Sequence, residues 1–163
     1  MPLKITEKVI IFHGINRANY YKKGSDYFEE ALEIIQNKYP NKVEIKTVES
    51  LPYKEYIKTY NEAHIVLDQV LAYDQGYNAL EAMAKGKVVF TGAEEEFNNY
   101  YQLENRVAIN ALPNAQKIAS SLEELILNPE LIIEIGKNAS EFIEKEHHYK
   151  NNAQKYLDTW SGN

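Results

Sequence analysis

The stretch DQVLAYDQGYNALEAMAKGKVVFTG, residues 68–92, decides the fold. It leaves an apolar strand-like run at residues 64–67 and crosses a polar loop to Gly76. Asn78-Ala-Leu-Glu81 then opens a predicted helix over residues 78–85. Gly86 closes that helix, and VVF begins a second buried strand over residues 88–91. Strand, helix and strand joined by short turns form a βαβ unit, which lays two parallel strands side by side with a helix across them.

The same grammar extends in both directions. Upstream, KVIIFH at residues 8–13 is a short β-branched run, and Gly14 is expected to form its exit turn. Phe28, Ala31, Leu32 and Ile35 recur at helical spacing, and Asp26 with Glu29 has the pattern of a capping box, so a helix is predicted over residues 26–38, stopped by Pro40. A strand over residues 43–48 and a helix over 53–62 complete the upstream half. Downstream come a short strand over 106–109 and helices over 115–127, 129–147 and 151–160, with Ile118, Leu122 and Leu125 in the core. The acidic cluster Glu94 to Glu96 reads as a solvated turn. The expected fold is α/β, a Rossmann-like doubly wound parallel sheet with helices on both faces and a helical C-terminal tail, in a single domain across residues 1–163.

Composition narrows the function classes. A net charge of −6 argues against a general nucleic-acid binder, which needs a basic face to neutralise phosphates, so no nucleic-acid partner is expected and any phosphate site must be local. No apolar run approaches the roughly 20 residues that a membrane span needs. The chain has no Cys, which removes disulfides and thiolate zinc sites and fits a reducing compartment; a cytoplasmic location is expected.

In such sheets ligands sit beyond the carboxyl ends of the strands, so the chemistry is sought in those loops. After the first strand, HGINRANYYKKGSD at residues 13–26 places Arg17, Lys22 and Lys23 just before a helix N-terminus. A diphosphate suits that combination: a guanidinium binds two oxygens at once, an ammonium supplies a point charge, and the helix dipole adds to both. After the third strand, Gly76 permits close backbone approach, and Glu81 stands in the first turn of the predicted helix. There it has two readings that spacing cannot separate: a capping-box partner for Asn78, or a carboxylate accepting hydrogen bonds from the vicinal hydroxyls of a ribose. His13 lies at a strand exit, where it is either a donor contact or a hydrogen-bonded structural residue. His147 and His148 point to different faces of one helix, so no metal site is expected.

LEAMAKGKVVFTG resembles the LEAMA-x-G-x-P-V segment of the GT4-type (group 1) glycosyltransferases of GT-B fold, with Val88, after Lys87, where many relatives carry Pro. The sugar donor is bound in that family by an E-x7-E motif. Here Gly76 and Glu81 match, while Tyr73 stands at the first Glu position and Asp74, one residue along, is the expected substitute. The resemblance implies that Glu81 holds the nucleotide ribose and that the backbone of Gly76, Tyr77 and Asn78 approaches the diphosphate and sugar. Arg17 and Lys23-Gly24 resemble the family's Arg and Lys-Gly pair, which grips the diphosphate. The implied substrate-binding set is Gly14, Arg17, Lys23, Asp74, Gly76, Tyr77, Asn78 and Glu81. NPELIIEIGKNASEFIEKEHHY, residues 128–149, is similar to the family's C-terminal helix.

The resemblance covers nearly the whole chain, but only the donor-binding C-terminal half of a GT-B enzyme. It implies a domain that binds a nucleoside-diphosphate sugar and, with a separate acceptor-binding domain or partner protein, transfers the sugar with retention of anomeric configuration. Neither cofactor nor metal is implied, in keeping with the absence of an Asp-x-Asp pair. The alternatives are a non-catalytic nucleotide-sugar-binding or partner module, and half of a GT-B sugar-nucleotide epimerase. For the partner-module reading, an exposed apolar face near Leu71, Tyr73, Tyr77 or Trp160 is expected.

Overall fold

Five short runs dominated by β-branched and other apolar residues pair as an all-parallel sheet in the computed structural model, which describes residues 4–5, 7–73 and 75–147. They are β1 (Val9–Ile15), β2 (Val43–Glu49), β3 (Ile65–Leu67), β4 (Val88–Thr91) and β5 (Ile109–Asn110), in the order β2-β1-β3-β4-β5. The helices are α1 (Tyr20–Lys23), α2 (Ser25–Lys38), α3 (Tyr53–Glu62), α4 (Tyr77–Ala84), α5 (Glu95–Tyr101), α6 (Ala115–Leu127) and α7 (Pro129–His147).

Strand residues alternate between two cores, as a pleated sheet buried on both faces requires. Ile11, Ile65, Leu67, Val88 and Phe90 pack with Phe28, Leu32 and Ile35 of α2 and with Ile118, Leu122 and Leu125 of α6. Their neighbours Phe12, Val66 and Val89 face the other way, against Tyr60 of α3, Ala79 and Met83 of α4 and Phe142 of α7. The expected doubly wound architecture is therefore present. The order of strands reverses direction between β1 and β3, which makes the gap between their carboxyl ends the topological switch point.

Several local expectations are corrected. Gly14 forms no exit turn: β1 continues through it to Ile15, pairing with β2 along its length. The capping box at Asp26 and Glu29 does not form. Helix α2 starts at Ser25 from a left-handed Gly24, and the Glu29 carboxylate accepts a hydrogen bond from the Tyr20 hydroxyl instead. The last strand is displaced to Ile109–Asn110, because the backbone carbonyl of Arg106 accepts from the Asn138 side chain and its guanidinium binds Glu124. The acidic cluster is not a turn; Glu95 and Glu96 occupy the first turn of α5, where carboxylates suit the helix dipole. The helix expected over residues 151–160 lies outside the described residues, as do Asp74, His148 and Trp160.

Candidate functional site

Two loops meet at the switch point. The chain leaves β1 through a short 3-10 turn, Arg17–Asn19, capped by the Asn16 side chain, which accepts from the Ala18 N–H at 3.0 Å. It then makes the single turn of α1 and ends it at Gly24, whose φ of 69° is left-handed. Only Gly is accommodated there: an added Cβ would lie 2.7 Å from the Val70 Cβ. That close approach exists because the Val70 N–H donates to the Lys23 carbonyl at 2.8 Å, tying the loop after β3 to the loop after β1. Below this junction the Lys23 ammonium lies 3.3 Å from a carboxylate oxygen of buried Asp68, whose second oxygen accepts from the Thr91 hydroxyl.

The loop after β3 is also fixed on its far side, where the Gln75 side-chain amide donates to the Gly92 carbonyl. It delivers the chain to the N-terminus of α4 at this same edge. Gly76 is the cap residue, in an extended conformation with φ −72° and ψ 170°, so its backbone would accept other residues. What distinguishes it is space: the nearest atom to an added Cβ is the Gln69 amide nitrogen at 3.7 Å. The first intrahelical bond runs from the Leu80 N–H to the Gly76 carbonyl, so the N–H groups of Tyr77, Asn78 and Ala79 precede the ladder. Three such N–H groups are what an anion at a helix N-terminus requires.

The capping reading of Glu81 is overturned. Because Gly76 rather than Asn78 occupies the cap position, Glu81 lies two residues too deep to return to it, and its carboxylate pairs with Lys85 at 3.0 Å. Beside it stand Tyr56 and Tyr60 of α3, their rings stacked 6.1 Å apart. Burial, then the Asp68 and Glu81 charges, raise the Tyr56 hydroxyl pKa above its ordinary value. The Tyr56 ring also covers Gly14, where an added Cβ would meet it at 3.3 Å. Tyr56 therefore spans from the end of β1 towards α4, a wall of the site that hydrophobic spacing alone marks only as a helix face.

Arg17 lies on the rim with its guanidinium 5.0 Å from the Tyr20 ring centroid and bonded twice to Glu49, the last residue of β2, at 2.7 and 2.9 Å. That hydrogen bonding holds the Glu49 carboxyl below its usual range. His13 is not at a strand exit: it lies two residues before the end of β1, buried against the Phe28 ring 5.5 Å away, and belongs to the floor beneath the rim. Desolvation pushes its pKa down to about 4, against the opposing pull of Glu29 and the Leu67 backbone. Tyr73 and Tyr77 are 83% and 82% exposed, and Leu71 is exposed beside them, as the expected apolar face requires.

Arg17 and Lys23 thus lie on the loop after β1, and Gly76, Tyr77 and Asn78 at the start of α4 after the loop from β3, with Gly14 in the last rungs of β1; Glu81 lies further along α4, paired with Lys85. Among the described residues, clefts elsewhere include one of about 310 Å³ between Leu103, Val107, Asn138 and Phe142, and one of about 330 Å³ beside Asn110, Lys117 and Ser121.

A family model described as glycosyl transferase-like matches residues 14–158. The chain belongs to that family. The resemblance read from residues 80–92 therefore extends over most of the chain, and the glycosyl transferase-like fold is shared by solved structures. The C-terminal domain of a group 1 family glycosyl transferase, LpcC, from Francisella tularensis is 20% identical with a TM-score of 0.63, and the match covers 87% of this chain and 86% of that one. TarM of S. aureus, in a mutant solved with Fondaparinux, alpha-GlcNAc-glycerol and UDP, is 17% identical with a TM-score of 0.68, covering 93% of this chain and 35% of that one. MnaA of S. aureus, solved with UDP, is 16% identical with a TM-score of 0.56, covering 89% and 46%. The glycosyl transferase-like chain thus spans nearly all of an isolated C-terminal domain but less than half of the longer proteins. No curated protein matches it. Among the described residues, no helix is long and apolar enough to cross a membrane.

Proposed function

We propose that this chain is the donor-binding domain of a glycosyltransferase and holds a nucleoside-diphosphate sugar across the switch point between β1 and β3. The observation that supports the reading is the junction of the two loops at the Val70–Lys23 hydrogen bond, with Arg17 on the loop after β1 and the N-terminus of α4 at the end of the loop after β3. The diphosphate lies between Arg17 and the N–H groups of Tyr77 to Ala79. Gly76 leaves room for its approach, and Lys23 adds positive charge from its seat on Asp68. Glu81, released from Lys85, accepts the ribose hydroxyls, and Asp74 is assigned to the sugar.

The domain's share of catalysis is leaving-group stabilisation. As the bond between sugar and phosphate breaks, negative charge grows on the diphosphate. Donors fixed in advance by the sheet stabilise that charge more than they stabilise the ground state. The acceptor is held by a separate domain or partner protein facing the rim. Support for a partner comes from the exposed apolar side chains gathered on the rim loops: Tyr21, Leu51, Tyr53, Leu71, Tyr73 and Tyr77. A Cys-free chain fits a cytoplasmic setting. The epimerase-half reading is less favoured, because the rim carboxylates Asp68 and Glu81 are each held by a lysine rather than left as an acid and base pair.

Isothermal titration calorimetry with UDP, GDP, ADP and their sugars tests the reading, starting from UDP because TarM and MnaA were solved with it. Saturable binding of one diphosphate series is expected, weakened by Arg17→Ala more for the diphosphate than for the free nucleoside. No binding of any of them, or equal weakening of both, would reject the site.

A further inference from the structure

Arg17 does not stand free for a phosphate. Its Nε and Nη2 atoms bond separately to the two oxygens of Glu49, at 2.7 and 2.9 Å. A carboxylate gripped in this way presents the same two-oxygen edge that a phosphate offers a guanidinium.

Backbone geometry places both partners. Glu49 ends β2 in register with Ile15 of β1, and the chain then bends away at Ser50 with φ 53°, left-handed in a residue other than Gly. Such a bend persists where the surroundings impose it, and here it keeps Glu49 on the last rung beside the Arg17 turn. Arg17 is placed by the Asn16 cap and by the Tyr20 ring, whose hydroxyl is tied to Glu29. Yet the two side chains keep access to water, 58% exposed for Arg17 and 39% for Glu49. The neighbouring pair differs: the Asp68 carboxylate is 4% exposed, so removing Lys23 from it would strand a buried charge. Between Arg17 and Lys23, Arg17 is the one that can change partners cheaply.

We infer that Glu49 is an internal stand-in for the diphosphate, occupying Arg17 in the empty domain and displaced when the ligand binds. This rests on the donor-binding reading above. The displaced carboxylate then lies near the bound phosphates, and that like-charge repulsion favours release of the nucleoside diphosphate once the sugar has left.

Calorimetry of the full chain with UDP at fixed ionic strength tests it. Glu49→Gln keeps the shape and removes the charge, and should bind UDP about two- to fivefold tighter than wild type, the scale of freeing an exposed pair. Glu49→Ala should repeat the gain, and neither should show it in an Arg17→Ala background. Unchanged or weaker binding by Glu49→Gln, with wild-type binding intact, overturns the inference and leaves the donor site standing. A gain that persists without Arg17 also overturns it, since Glu49 would then act only as a nearby charge. Absence of binding to UDP, GDP and ADP by both wild type and Glu49→Gln overturns the donor-binding reading and the inference with it.

Discussion

Gly24→Ala is expected to unfasten the two rim loops from each other. Gly24 has φ 69°, and a Cβ there would come within 2.7 Å of the Val70 Cβ, in the segment whose N–H reaches the Lys23 carbonyl. Holding Ala in the left-handed region costs about 1–2 kcal/mol, and forcing the contact with Val70 apart adds about 1–3 kcal/mol. A loss of about 3 kcal/mol corresponds to a fall of about 1.5 M in the urea midpoint for a slope near 2 kcal/mol/M. Gly76→Ala is the control, since its φ of −72° is ordinary and the nearest atom is 3.7 Å away. The poorer cap offsets the entropy gained by constraining the unfolded chain, so its stability should stay within about 1 kcal/mol of wild type, while UDP affinity falls because the methyl fills the approach to α4. Urea unfolding followed by circular dichroism, paired with calorimetry, reads both effects. A Gly24→Ala protein within about 0.5 kcal/mol of wild type would refute the argument that the loops are clamped at this point.

Other perturbations separate floor, rim and core. His13 has its folded-state pKa lowered to about 4 from an ordinary 6.5, so its contribution is complete above about pH 6.5 and is lost as pH falls towards 4. About 3 kcal/mol of stability should disappear across that window, with His64 acting in the same direction, and His13→Gln should flatten the profile in pH-dependent unfolding. Glu81→Gln should weaken UDP far more than it lowers the melting temperature; lost stability with unchanged affinity would assign Glu81 only to its pair with Lys85. Phe28→Ala, which empties a fully buried site between β1 and α2, should cost about 3–5 kcal/mol in the same unfolding assay.

The fold was legible because its signals are local and repeated. The strand ending at Leu67, the helix closed by left-handed Gly86 and the strand VVF appear within a residue or two of their expected bounds. Strand order was less accessible, since the placement of β3 beside β1 depends on packing rather than on any one segment. Hydrogen-bond partners were the least legible. Glu29 and Glu81 both had capping-box spacing, yet each accepts from a side chain that folding or helix register brings closer, Tyr20 and Lys85 respectively. Arg17 and Lys23 were visible as cations, but their carboxylates, Glu49 at the end of β2 and Asp68 just after β3, come from distant segments. Tyr56 could have been found by placing the 3.6-residue repeat of α3 against Gly14, a step that needs the topology first. The short helices α1 and α5 were missed because neither carries a full apolar stripe.

The central claim is that nucleoside diphosphates bind where the loops after β1 and β3 converge. Amide correlation NMR of the labelled chain during a UDP titration reports on it residue by residue. Saturating shifts at Arg17, Gly24, Gly76 and Tyr77 to Ala79 are the predicted result. Shifts that leave those amides unmoved and gather instead around the cleft at Leu103, Asn138 and Phe142 would contradict it.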